Sequence, residues 1–335
     1  MSPRARRRGP LVHCAPSFEG GDPVYTADDG KAGATLRAGS RFAPWIAVLL
    51  FQLLLASCAP DGHPDPPVVS VTDDFGYTVA LGAPARRVFS VIPSLTESVA
   101  ALDPGVLVAR TRFDQAPELA HLPSLGGTIQ PNLEALAGLG PDLVITWAGS
   151  AQGTIGDRVG ALGIPVYRAN VQTIAGVRSH LQRLGTLLGR EERAAALVDS
   201  LDLALESVAA AVRGRERVDV YYSVWHDPPQ TTGPGTFIDQ VIEHAGGRNV
   251  FGDASRSWPR VSVEAILQRD PDALVIARHA PGAAGAPWLE GPGWRELRAV
   301  RNGRYLLVDG DLFNRPGPRV AEAARRMADF LHGPR

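Results

Sequence analysis

Catalysis and metal binding need particular side chains at particular spacings, and this 335-residue chain offers few of them. A zinc or manganese site takes three or four convergent imidazoles and carboxylates. Of the eight histidines, His226, His244 and His279 fall in the C-terminal part, while His121 and His180 read as loop and helix-surface residues. No histidine of the N-terminal half closes a strand, so a bare metal site is a weak reading. No Gly-x-Ser-x-Gly turn presents a nucleophile, and no Gly-x-Gly-x-x-Gly loop follows a strand. A P-loop is excluded, because no lysine follows a glycine-rich turn. The notable side chains are instead aromatic and charged. Trp147 ends a strand, Trp258 opens the approach to a later helix, and Glu134 and Glu264 each begin a helix. Tryptophan faces bury large areas at little entropic cost. A carboxylate in the first helical turn is favoured by the helix dipole, by a few tenths of a kcal/mol to ~1 kcal/mol.

The elements that must position these residues follow a clear order. Arg37 and Arg41 precede an apolar run, Phe42 to Leu55, of 14 residues. That is short of the ~20 residues needed to span a bilayer. The run closes on Leu55-Ala56-Ser57-Cys58, which resembles a bacterial lipoprotein signal, cut before the cysteine. On that resemblance Cys58 carries the lipid and becomes the mature N-terminus. Residues 1–57 are then leader and signal peptide. The polar first 40 residues, with Arg4, Arg6, Arg7 and Arg8, read as a start assigned too early, or as a long basic n-region or disordered arm. Cys14 is lost with the leader, which leaves no disulfide.

Residues 58–70 are a linker rich in proline. Val68 to Leu81 alternates as a hairpin, with Asp73, Asp74 and Gly76 near its turn. Short β-rich runs then alternate with helical runs. Strands are expected at 87–92, 106–109, 142–147 and 166–168, and helices at 94–102 and 132–139. Ser94 and Glu97 have the spacing of a capping box. From Ile174 to Val208 apolar residues recur at helical spacing, with a break at Gly189-Arg190. This predicts a shorter helix, then a long one over about 191–213. The α/β pattern resumes at Val218. The economical architecture is two Rossmann-like α/β lobes, 71–172 and 215–335, joined by helices over 173–214, and a single continuous sheet is the alternative that pattern alone leaves open. The formal net charge of −1 lacks the basic footprint of a nucleic-acid binder.

Four segments resemble the periplasmic binding proteins of ABC importers for vitamin B12, iron-siderophores and haem. They are Pro93-Ser94-Leu95-Thr96-Glu97, Gly126 through Glu134 with Leu139 through Val144, Trp258 through Leu267, and Arg301 through Arg319. The last is close to the cobalamin-binding members. The resemblance implies a class III fold, two lobes bridged by one rigid helix. It implies no enzymatic activity and no cofactor. The ligand is cobalamin, or alternatively a ferric siderophore or haem. The partners are a permease and its ATPase subunits, met by a lipid-anchored monomer outside the cytoplasm.

The resemblance also assigns residues. Trp147 and Trp258 face the ligand across the cleft, and Asp311 and Arg315 stand at its rim, where they serve the ligand or pair with each other. Arg319 is structural. Arg112, Thr128 and Gln230 occupy positions where the cobalamin receptors carry Tyr, Trp and Phe, so three aromatic contacts become polar ones. Phe113, Trp225 and His226 stand nearby as substitutes. Added Arg and Gln would also suit an anionic siderophore or a haem propionate, since arginine binds carboxylates bidentately. Glu134 and Glu264 are the permease-docking pair, one on each lobe.

Overall fold

The computed structural model describes residues 69–147, 150–278 and 285–333. Cys58, the leader and most of the linker lie outside them, as does His279. An antiparallel hairpin, β1 (Val69–Thr72) and β2 (Thr78–Leu81), opens the body. Its turn is held by Asp73, whose carboxylate accepts from the backbone N–H of Phe75 and of Tyr77, both at 2.9 Å.

The first lobe is built on a parallel sheet of β3 (Val88–Ser90), β4 (Leu143–Trp147) and β5 (Val166–Ala169), in that order. Its helices are α1 (Pro93–Leu102), α2 (Leu133–Leu139) and α3 (Ser150–Gly160). Two helices follow, α4 (Ile174–Leu188) and the 22-residue α5 (Glu191–Val212). Gly189 ends α4 in the left-handed region at φ 61°, where glycine avoids the Cβ clash. The second lobe carries β6 (Val218–Ser223), a small hairpin of β7 (Trp225–His226) and β8 (Pro229–Gln230), then α6 (Phe237–His244) and β9 (Gly247–Asn249). It continues through α7 (Val263–Arg269), β10 (Ala273–Arg278), α8 (Arg298–Arg301) and β11 (Tyr305–Asp309), ending in α9 (Gly310–Phe313) and α10 (Val320–His332). Its sheet runs β11-β10-β6-β9, all parallel.

Parallel strands covered on both faces bury their side chains on both, and the central strands are apolar and buried over 143–145 of β4 and 273–277 of β10. Leu143 and Ile145 of β4 face one core and Val144 the other. Val220 and Tyr222 of β6, with Val275 of β10, face the same core as Leu143. Leu181 and Leu184 of α4, Leu201 and Leu205 of α5, and Met327 of α10 fill it. One face of each sheet therefore packs into a single continuous core that crosses from lobe to lobe. The α4–α5 crossing is tight. A Cβ on Gly185 would stand 2.5 Å from the Cβ of Ala194, so only glycine fits there without displacement.

Three expectations are corrected. The Ser94–Glu97 capping box does not form. Pro93 already occupies the first turn, Ile92 is the cap residue, and Ser94 is buried. Glu97 instead pairs with Arg319 of the second lobe, at the start of α10. The strand over 106–109 reduces to one parallel bridge, Leu107 to Val88. Pro104–Val106 winds into a 3-10 turn capped by the Asp103 carboxylate, which accepts from Gly105 N–H at 3.0 Å. His180 is not on the helix surface but is 1% exposed. It shares the stripe of Val177, Leu181 and Leu184, which the 3.6-residue period turns inward.

His180 sits 3.4 Å through Nδ1 from the Tyr167 hydroxyl, with Arg183 and Asp74, which pair together, as the nearby charges. Burial above all pushes its imidazole down to about 4, with Arg183 lowering it further and Asp74 opposing. Folded protein keeps this ring neutral while the unfolded chain protonates it near pH 6.5. The linked stability is therefore complete above pH 6.5 and lost as pH falls from 6.5 toward 4, in all about 3 kcal/mol. Urea unfolding at pH 7 and pH 4 checks this. Wild type should lose roughly 3 kcal/mol more than His180→Leu over that interval. Equal losses would mean that His180 accepts a proton in the folded state.

Candidate functional site

Open α/β sheets bind ligands outside the carboxyl ends of their strands. Here six parallel strands from two sheets send their carboxyl ends to one cleft. Ile92, Pro93 and Ser94 follow β3, Trp147 ends β4, and Val171 and Gln172 follow β5. From the other side Val224 follows β6, Arg278 ends β10, and Gly310 and Asp311 follow β11. The cleft comprises two cavities of about 330 and 350 Å³ that share Trp258, Asn314 and Arg315. Each is within the range that holds small molecules, ~300–1,000 Å³. A larger hollow of about 500 Å³ lies between α5 and α10. No strand end reaches it, and its polar lining is partly spent in the Arg325–Asp329 pair at 3.1 Å.

The cleft's polar groups are tightly placed. Asp309 caps α9, accepting from Asp311 N–H at 2.9 Å. Gly310 is demanded by crowding, because a Cβ there would stand 2.5 Å from the Arg278 carbonyl oxygen. Arg315 pairs with Asp311 at 2.6 Å, its own side chain 20% exposed and that of Asp311 54%. The buried Tyr222 of β6 donates its hydroxyl to Asn314 Oδ1 at 2.7 Å. Burial holds the Tyr222 phenol far above its ordinary range, so it stays a neutral donor. Trp258 donates its indole N–H to Gln172 Oε1 across the lobe junction at 3.2 Å. Aromatic walls, one guanidinium beside a carboxylate, and a fixed amide can grip an amphipathic molecule. Among the described residues no three of His, Cys, Asp or Glu stand together as a metal would need.

The structure thus brings Trp147, Trp258, Asp311 and Arg315 into one cleft, with Asp311 and Arg315 paired to each other. Arg112, Thr128 and Gln230 are not among the residues that line it. Arg112 is exposed, its guanidinium 5.0 Å from the centre of the Phe113 ring and close against Gly127. Thr128 is half-buried in the loop that the Gly126–Pro131 bridge closes. Gln230 pairs with Trp225 in the β7–β8 hairpin and bridges to Arg260. Trp225 and Phe113 are exposed, and the His226 ring stacks on Trp288 at 5.3 Å. Sequence reasoning passed over Gln172, Phe237 and Arg278. Gln172 and Arg278 had a signal in their position, at or just beyond the end of a parallel strand.

Glu134 and Glu264 lie elsewhere, on structurally matched helices. α2 and α7 are both seven residues long, capped by Asn132 and Ser262, whose side-chain oxygens accept from Ala135 and Ala265 N–H at 3.0 and 3.2 Å. Both end in a left-handed residue, Gly140 or Asp270, followed by Pro-Asp and a strand. Asp142 and Asp272 each accept a backbone N–H where the neighbouring strand begins, from Arg87 at 3.0 Å and from Asp219 at 3.2 Å. Each glutamate is therefore the exposed second residue of an equivalent helix. Its own backbone N–H, then the Ser262 hydroxyl, hold the Glu264 carboxyl below its usual range, so it is ionised at neutral pH.

Comparison with known proteins agrees with this geometry. The sequence matches the periplasmic binding protein family over residues 88–312. It is similar to YvrC, an ABC transporter substrate-binding lipoprotein of Bacillus subtilis (strain 168), at 29% identity over 306 residues, 86% of this chain and 96% of that one. The crystal structure of the periplasmic vitamin B12 binding protein BtuF of Vibrio cholerae is similar at TM-score 0.64 and 26% identity, covering 74% of this chain and 97% of that one. A periplasmic heme binding protein from Pseudomonas aeruginosa is similar at TM-score 0.65 and 29% identity, covering 73% of this chain and 92% of that one. With two parallel-sheet lobes, a helical bridge and a match through most of both lobes, the chain belongs to the periplasmic binding protein family and has its class III fold.

Proposed function

We propose that this protein is a lipid-anchored extracytoplasmic receptor of an ABC importer that binds cobalamin between its lobes and delivers it to the permease. The observation that carries the reading is the convergence of six strand ends on a cleft holding Trp147, Trp258 and the Asp311–Arg315 pair. Tryptophan faces suit a broad rigid macrocycle. The amide arms of a corrin offer donors and acceptors to Asp311, Arg315 and Asn314. Similarity to a vitamin B12 binding protein supports this ligand, and similarity to a substrate-binding lipoprotein supports the anchor at Cys58.

A second reading has its own support. Arg278 and Arg315 both line the cleft. Guanidinium groups bind carboxylates bidentately, which suits an anionic ligand such as haem with its propionates or a ferric siderophore. Similarity to a heme binding protein supports that alternative. Titration of the purified protein with cyanocobalamin, haemin and a ferric siderophore, followed by visible absorption, separates the readings. Cobalamin should bind at micromolar affinity or tighter, roughly −8 kcal/mol or better. Trp258→Ala should weaken it by about 2 kcal/mol, as for an interface aromatic anchor. Saturable binding of haemin or siderophore without cobalamin would replace the first reading by the second.

Docking on the permease rests on Glu134 and Glu264, one exposed carboxylate at the same place on each lobe. Such a pair fits a membrane partner with two arginine sites. The double replacement Glu134→Ala with Glu264→Ala should leave ligand affinity unchanged, since neither residue lines the cleft. Reconstituted uptake should fall sharply, because each lost carboxylate strands a desolvated arginine at a cost of ~2–5 kcal/mol. Uptake near the wild-type rate would reduce the two glutamates to first-turn dipole partners.

A further inference from the structure

Trp258 is held by more than its own lobe. The chain on either side of it is fixed, with Thr231 N–H donating to Pro259 O at 3.1 Å and Gly233 N–H to Ser257 O at 2.8 Å. Those bonds fix the backbone, while the indole itself packs partly buried against the core and the Phe237 ring. The indole N–H is a donor only, so its orientation is set by whatever acceptor it meets. That acceptor is Gln172 Oε1 of the first lobe, at 3.2 Å. The amide cannot be turned round without losing both contacts, because Gln172 Nε2 donates to Asn170 Oδ1 at 3.1 Å. Asn170 is itself anchored, its N–H donating to Asp74 Oδ2 at 2.6 Å. The main chain of Gln172 takes part as well, its carbonyl accepting from Phe237 N–H at 2.7 Å. The Phe237 ring lies 6.3 Å from that of Trp258, inclined at 55°. Gln172, Phe237 and Trp258 all line the cavity of about 330 Å³.

We infer that Gln172 is a positioning residue of the ligand site, fixing the plane of the Trp258 indole from the opposite lobe. The inference rests on the cleft being the ligand site. Its consequence is that affinity depends on a first-lobe amide through a second-lobe ring. The bond runs from one lobe to the other beside the backbone bond of Phe237 N–H to the Gln172 carbonyl.

The test is a double-mutant cycle with cyanocobalamin and haemin as probes, joined to the NMR signal of the Trp258 indole N–H in ligand-free protein. That signal is assigned by its loss in Trp258→Phe. Gln172→Leu should shift it and weaken binding of whichever probe wild type takes by roughly fivefold, the worth of one neutral hydrogen bond. Gln172→Glu keeps an acceptor for the indole N–H although it loses the donor to Asn170, and should bind more tightly than Gln172→Leu. In the Trp258→Phe background, which has no indole N–H, Gln172→Leu should cost nothing further. An equal loss in both backgrounds would make Gln172 a direct ligand contact and overturn the inference. So would a lowered melting temperature with unchanged affinity, or an indole signal that Gln172→Leu leaves in place. If wild type binds neither probe, the proposed ligands fail, and the indole signal still decides whether Gln172 orients Trp258.

Discussion

One face of each parallel sheet packs into the same hydrophobic core, and the rest of the molecule depends on that sharing. Val88, Leu143 and Tyr167 from the first sheet meet Val220, Tyr222 and Val275 from the second through the side chains of α4, α5 and α10. Pulling the lobes apart would expose this apolar surface at roughly 25 cal/mol per Å². A linker of coil would impose no such penalty. The tight crossing at Gly185, with Ala194 against it, keeps α4 and α5 in one register. The sheets therefore hold a set distance, and their strand ends face a cleft whose width is fixed before any ligand arrives.

A pre-formed cleft lowers the ordering cost of binding and suits a ligand that is itself rigid. The polar links between the lobes act in the same direction. Gln172 joins Trp258 and Arg319 joins Glu97, while Gln240 Oε1 of the second lobe accepts from the N–H of Ile174 at the start of the connecting helix α4, at 2.8 Å. Arg319 also donates to the carbonyl of Asp311 at 3.4 Å, so the turn carrying the Asp311–Arg315 pair is tied through one guanidinium to α1 of the first lobe. Exposed ion pairs contribute little to stability, commonly ~0–1 kcal/mol. The value of this one is geometric, because it sets where Asp311 and Arg315 stand relative to Pro93 and Ser94.

Much of this architecture was legible from periodicity. The apolar run Leu143-Val144-Ile145 of β4 and the 3.6-residue spacing from Ile174 to Val208 follow directly from what parallel strands and amphipathic helices must bury. α3 was not legible, because Gly153, Gly156 and Gly160 interrupt its pattern. The inward face of His180 was missed because imidazole was read as polar, although its spacing from Val177 and Leu184 placed it in the core stripe. Of the candidate site, Trp147, Trp258, Asp311 and Arg315 could be placed because each sits at or near a recognisable motif. Arg112, Thr128 and Gln230 sit in loops and a two-residue hairpin, where no period fixes the direction of a side chain. Gln172 and the Glu97–Arg319 pair escaped for another reason. Their partners lie 86 and 222 residues away, beyond what local pattern can report.

The central claim is that the ligand lies in a pre-formed cleft between the strand ends of two lobes that share a core. A crystal structure of the protein with cyanocobalamin or haemin, using anomalous scattering at the cobalt or iron edge, tests it most directly. The account predicts one anomalous peak between Trp147 and Trp258, beside Arg315, with the Gln172–Trp258 and Glu97–Arg319 contacts intact. A peak outside that cleft, or a bound state in which both contacts are broken and the sheets have moved apart, would contradict it.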